Sequence, residues 1–254
     1  MQDKRKQILK IISKLLIISG VLILFVTYQN VIYLELKYRV EKYLGYKYYL
    51  KTESIKIGDL SAPSQKVKQI AITPVNTTFS LVIESLNINA PVVKDVPIID
   101  RNKYLDALQR GVAHASFSNY PNEEGARVYI FAHSSYNFWE LGKYSSVFNQ
   151  LNKINDGDEI NLFYEGKRYV YKVDNKEFVN DFKIDETIYS GLGPSLTLQT
   201  CHPAGTTLYR LVVKASLIKV IDWFAYLIPR VYKSVWSPDL KVVRMISLSP
   251  LIEV

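Results

Sequence analysis

SLTLQTCHPAGTTLYRLVVKASLI, residues 195–218, decides how the folded part of this chain is built. Residues 195–200 alternate apolar with polar side chains, the pattern of a strand with one buried face. Residues 208–218 form a second, long apolar strand, and Pro203, Ala204 and Gly205 mark a turn between them. With 202–207 as the loop of a hairpin, Cys201 pairs with Leu208 and Gln199 with Arg210. Residues of like parity share a face, so Cys201 and Arg210 point the same way across a diagonal of about 7–8 Å. An arginine side chain reaches that far. A slip of one residue would put the two on opposite faces. His202, next to Cys201, points to the other face.

The surrounding sequence repeats the β signal. Strands are predicted over 79–84 (FSLVIE), 128–133 (VYIFAH), 159–164 (EINLFY) and 168–173 (RYVYKV). Glu165, Gly166 and Lys167 join the last two as a hairpin, and Asp156, Gly157 and Asp158 make a turn leading in. Short helices are predicted over 104–109 and 145–151. Many short strands bounded by turns predict an all-β sandwich or barrel, not a βαβ sheet.

The 254 residues suffice for one large domain or two small ones, and 48% hydrophobic with 22% charged residues is a globular composition. The net charge of +8 resembles a nucleic-acid signal until it is divided. Residues 1–70 carry 13 Lys+Arg against 5 Asp+Glu, whereas residues 71–254 carry 19 of each. The folded part is therefore neutral overall, which disfavours a nucleic-acid partner.

The basic excess surrounds a membrane signal. Lys4, Arg5, Lys6, Lys10 and Lys14 precede an uncharged run over 15–34, which as a helix is about 30 Å long and matches a bilayer core. The flanking charges predict a cytoplasmic N-terminus, and Tyr28 and Tyr33 sit where an aromatic belt forms. The rival is a cleaved signal peptide, but the run is long for one and no small-x-small cleavage pattern follows. The expected organisation is a tail and single-pass anchor over 1–34, a juxtamembrane stalk over 35–78, a β domain over 79–220 and an extension over 221–254. In that extension, Trp223, Leu227, Val231 and Val235 recur at helical spacing, although Pro229 interrupts them.

The chemistry available is limited. The chain has one cysteine, so it holds neither an internal disulfide nor a multi-thiolate zinc site. Thiol catalysis needs a thiolate, a proton carrier and a donor to the oxyanion. Cys201 and His133 both end predicted strands, where side chains face a cleft. His114 follows Gly111, Val112 and Ala113 in what reads as a loop, as a supporting or structural residue. Asp156, Asp158 and Glu159 read as a turn and strand start, and Glu123 and Glu124 as solvated loop carboxylates. No metal site and no cofactor are predicted.

These residues resemble the sortase family. Residues 197–201 (TLQTC) are similar to its TLxTC signature, and Arg210 stands nine residues on, where the family places an arginine on the next strand. Residues 130–134 (IFAHS) resemble the segment carrying the family's histidine. Residues 111–114 (GVAH), 121–125 (PNEEG) and 151–158 match further family segments in order, over about 79–220. The resemblance implies an eight-stranded sortase-type β-barrel with a few short helices behind a transmembrane anchor, and a membrane-bound cysteine transpeptidase. Its implied substrates are surface proteins with a C-terminal LPxTG-like sorting signal. The implied acceptor is an amine on a cell-wall precursor or a pilin-like subunit. By the same resemblance Cys201 is the nucleophile, His133 the proton carrier, and Arg210 donates to the oxyanion or fixes the substrate, with Thr200 ordering the substrate or the arginine by hydrogen bonding; His114 is a further candidate substrate-binding residue.

Two other readings use the same sequence. One is a cysteine peptidase that hydrolyses the same substrates. The other is a surface-anchored binding barrel without catalysis, which would be expected to have lost Cys, His or Arg; here all three are present.

Overall fold

The structure is a computed structural model that describes residues 2–51, 68–134, 144, 146–180 and 193–223. A long helix, α1 (Gln2–Tyr43), comes first, followed by ten strands and short helical turns. The strands are β1 (Tyr46–Leu50), β2 (Lys68–Ile72), β3 (Phe79–Ile83), β4 (Ile88–Val96), β5 (Val112–Ala115), β6 (Arg127–Phe131), β7 (Glu159–Tyr164), β8 (Lys167–Val179), β9 (Ser195–His202) and β10 (Tyr209–Asp222). A helix α2 (Arg101–Arg110) links β4 to β5, and 3₁₀ turns occupy Glu84–Leu86 and Leu151–Lys153.

Eight of the strands close a barrel in the order β10-β8-β7-β3-β4-β5-β6-β9. The β4–β5 and β6–β9 pairs are parallel and the rest are antiparallel. Closure leaves no edge strand among these eight. The barrel interior is filled by alternate residues: Val128 and Ile130 of β6, Leu196 and Leu198 of β9, and Leu211, Val213 and Ala215 of β10, all essentially buried. Each buried aliphatic side chain contributes roughly 1.5–3 kcal/mol. The hairpin at Glu165 and Gly166 closes tightly because both take positive φ (47° and 76°), matching the strand twist.

Helix α2 is capped by Asp100, whose carboxylate accepts from the backbone N–H of Asn102 and Lys103. It ends at Gly111, where a Cβ would come within 2.2 Å of the Pro91 carbonyl oxygen. Glycine lets β5 start flush against β4, so α2 is held against the barrel wall.

Several expectations are corrected. Residues 111–114 are not a loop: His114 lies in β5. The helix expected over 145–151 is a run of turns over 146–150 followed by the 3₁₀ turn. Strand β4 was concealed in sequence by Pro91 and by the charged Lys94 and Asp95, which read against a strand until barrel pairing overrides them. Residues 35–78 also hold more than a stalk. As residues 35–44 read in sequence, α1 continues to Tyr43 and Gly45 turns the chain at φ 70°; what the sequence did not indicate is that β1 pairs in parallel with β2. Leu50 and Ile72 of that small sheet pack with Val82, Phe163 and Trp223 on the outside of the barrel. Residues 52–67, and the helical pattern beyond Trp223, lie outside the described residues.

Within α1, Lys4–Gln29 is long and apolar enough to cross a membrane, and that stretch is not buried by the rest of the chain.

Candidate active site

Cys201 sits near the C-terminal end of β9, the middle strand of β6, β9 and β10. Across the antiparallel ladder its partner is Arg210 itself. The expected diagonal is therefore a direct pair. The turn is centred one residue later than anticipated: β9 runs on to His202 and β10 begins at Tyr209. Thr206 closes that turn, donating from its backbone N–H (2.9 Å) and hydroxyl (2.8 Å) to the Pro203 carbonyl. Moving the turn by one residue moves each pair by two, an even shift, so Cys201 and Arg210 keep the common face. Directly opposed side chains have Cβ atoms about 4.5–5.5 Å apart.

The other neighbour is β6. Its parallel register places Phe131 beside Gln199. The alignment continues past the end of the strand. The Ala132 N–H donates to the Gln199 carbonyl at 3.1 Å, and the Thr200 hydroxyl donates to the Ala132 carbonyl at 2.8 Å. The Ser134 hydroxyl donates to the Cys201 carbonyl. Continuing the register by two residues brings His133 alongside Cys201. Adjacent strands lie about 4.8 Å apart, so Cys201 is flanked one strand away by His133 on one side and Arg210 on the other. All three residues are half-buried.

Tyr104 of α2 holds the histidine from outside. Its ring stacks on Phe131 (centroids 5.2 Å, planes 9° apart) and meets His133 edge-on (5.7 Å, 82°). Phe131 and His133 thus share the face that carries Gln199 and Cys201. Helix prediction over 104–109 located this residue, but nothing in the sequence linked it to His133. Ser134 was likewise within a quoted segment without an assigned part. The structure makes it a clamp, its hydroxyl on Cys201 and its carbonyl accepting from the Gly205 N–H at 3.2 Å.

The remaining residues fall elsewhere. Thr200 is buried and faces the interior, its hydroxyl on the backbone that leads into His133. His202 lies on that same face, away from Cys201 and Arg210. Its ring packs on Phe178 at 4.6 Å, and burial lowers its pKa. His114, opposite Ile130, is completely buried inside the barrel and is not brought to the Cys201 face. Its Nε2 lies 3.0 Å from both the Asn119 carbonyl and the Ser118 hydroxyl. Burial also holds its pKa below the ordinary histidine value, against the opposing pull of the Asn119 carbonyl and of Asp95, 3.7 Å from Nδ1.

A thiol between an imidazole and a guanidinium on adjacent strands has the parts for acyl transfer. The imidazole exchanges a proton with the thiol or the leaving group, and the guanidinium, always charged, meets a developing oxyanion.

Comparison with known proteins gives three findings. Residues 81–218, more than half of the chain, match the family model described as Sortase domain. No curated protein sequence matches the chain. Among solved structures, the chain is similar to sortase C1 of the GBS pilus island 1, at 24% identity over 56% of this chain and 65% of that one (TM-score 0.47). It is similar to sortase C-1 from Actinomyces oris at 20% identity, covering 57% and 76% (TM-score 0.47). It is similar to sortase C-3 from Streptococcus pneumoniae at 23% identity, covering 59% and 67% (TM-score 0.48). The chain thus spans just under two thirds of the first of these.

Proposed function

The chain belongs to the sortase family, and from that premise we propose that it is a membrane-anchored cysteine transpeptidase. The observation that carries the reading is Cys201 on the middle strand, with Arg210 as its direct partner and His133 aligned on the other side. The substrate class is a surface protein ending in an LPxTG-like sorting signal. The acceptor is an amine of a cell-wall precursor or of a pilin-like subunit. The apolar stretch Lys4–Gln29 supports an anchor, with the basic N-terminus on the cytoplasmic side and the barrel outside.

In the proposed reaction the Cys201 thiolate attacks the scissile carbonyl carbon, forming a C–S bond. The carbonyl π electrons become an oxyanion, to which Arg210 donates. The intermediate collapses by breaking the C–N bond, and His133 as imidazolium gives its proton to the departing amine. A thioester on Cys201 remains. Neutral His133 then takes a proton from the incoming amine as its nitrogen attacks the thioester, and Cys201 leaves as thiolate. The barrel holds the three groups on neighbouring strands, so little ordering is needed when the substrate arrives.

The test is incubation of the full chain in detergent with a pooled library of LPxTG-like peptides and a glycine-based amine, read by intact mass. An adduct on Cys201 that resolves into amine-linked peptide is expected, and Cys201→Ala should abolish it while leaving the fold intact. Turnover retained by Cys201→Ala would remove the nucleophile assignment. Hydrolysed peptide as the sole product at saturating amine would favour the peptidase reading.

A further inference from the structure

The end of α1 nearest the barrel is docked on it. The Gln150 side chain donates to the Leu34 carbonyl at 2.6 Å, and Lys153 meets the Glu35 carboxylate at 3.2 Å. Beside that contact, α1, β1, the 3₁₀ turn after β3 and the turns before Leu151 line a half-open pocket of about 750 Å³. It shares no lining residue with the Cys201 site.

The lining is graded along the helix. Leu34 and Tyr38 lie at the end toward the apolar stretch, and Lys37, Lys42 and then Lys47 follow. At 1.5 Å per residue, Lys42 stands about 12 Å beyond Leu34. The headgroup layer outside the hydrocarbon core is about 5–8 Å deep on each side, and a lysine stem reaches back several ångströms more. Glu41 is the single carboxylate in the described lining, and Lys37 pairs with it at 3.8 Å. Among the described residues no carboxylate pairs with Lys42 or Lys47; Lys42 lies over the Tyr38 ring at 5.8 Å. The other side of the same helix exposes the apolar Leu36 (56%) and Val40 (52%), one turn apart, and Leu44 (53%) follows in the turn beyond the helix end. These residues extend the apolar surface of α1 past Glu35, its first charge after the apolar stretch.

We propose that this cavity takes the headgroup of an anionic phospholipid. The phosphate sits against Lys42 and Lys47, and the acyl chains leave past Leu34 into the bilayer. The proposal rests on α1 being a membrane anchor and is independent of the reaction at Cys201.

The test uses the full chain in mild detergent, mixed with phosphatidylglycerol or phosphatidylcholine and read by native mass spectrometry. One retained phosphatidylglycerol per chain is expected where phosphatidylcholine leaves none, with occupancy about tenfold lower in K42Q/K47Q. Equal retention of both lipids, or undiminished retention in K42Q/K47Q, overturns the site. Glycerol 3-phosphate binding as tightly as the lipid overturns it in favour of a soluble anion. Flotation with phosphatidylcholine vesicles is scored separately: wild type and K42Q/K47Q should both float. A chain that stays with the soluble fraction removes the anchor, and the proposal with it, whatever the lipid adducts show. Acyl-enzyme formation at Cys201 should be equal in wild type and K42Q/K47Q, which reports that the double variant is folded.

Discussion

His114 and His133 stand on neighbouring strands, yet they meet opposite chemistries. His114 is sealed inside the barrel, stacked on Tyr120 at 4.8 Å and flanked by Phe79 at 5.6 Å, with burial favouring its neutral form. His133 stands just past the end of β6, half-buried, against Tyr104 and in line with Cys201. The residue type is the same. Parity along the strand and distance from the strand end separate a core ring from one on the face that carries Cys201. His202 repeats the lesson within a single strand, since one step from Cys201 turns it to the other face.

The largest way to sharpen this contrast is to exchange the roles. His133→Ala should lower turnover by about 10²–10⁴-fold, the usual worth of a positioned acid–base group. His202→Ala should leave turnover within about twofold, since its ring faces away from Cys201. Steady-state transfer rates decide this, and the reverse ranking would break the facing argument. Arg210→Gln should cost about 10²–10³-fold in kcat, the range for removing one oxyanion donor. If KM rises while kcat holds, the guanidinium binds substrate instead.

A smaller effect is expected outside the triad. Tyr104→Ala removes an aromatic contact worth about 0.5–1.5 kcal/mol, so kcat should fall by about tenfold or less, with the pH profile displaced through His133. Tyr104→Phe, which keeps the ring, should restore both. An unshifted profile in Tyr104→Ala would reduce the contact to packing.

The gentlest test is of the core histidine. Burial lowers the folded-state pKa of His114, so below the unfolded value of about 6.5 the unfolded chain binds more protons. The stability contributed by the neutral ring is full above that value and is lost as pH falls toward the folded pKa. Thermal unfolding should therefore show Tm declining below about pH 6.5 in wild type, with a shallower decline in His114→Gln. A slope of opposite sign would mean that Asp95 outweighs burial.

Much of this was legible in the chain. Alternation identified β9, and short runs rich in β-branched and aromatic residues bounded by turns identified β3, β6, β7, β8 and β10. Both signals failed for β1, β2, β4 and β5. In β4, Pro91 and Lys94 contradict a local strand signal, and β5 is four residues long with alanine at two of them, too short and too poor in strand formers to read. Tyr104 and Ser134 stayed silent because their partners, His133 and Cys201, are remote in sequence.

The sequence by itself determined the apolar N-terminal stretch, the β character of the folded part, and the common face of Cys201 and Arg210. Each of these is a local property of hydropathy period and strand parity. Tertiary structure alone decided the closure of the barrel, the direct Cys201–Arg210 pair, and the alignment of His133 through the parallel β6–β9 ladder. It also decided the burial of His114 and the cavity beside α1. Parallel pairing and closure join residues about seventy positions apart, and no period along the chain encodes which strands meet.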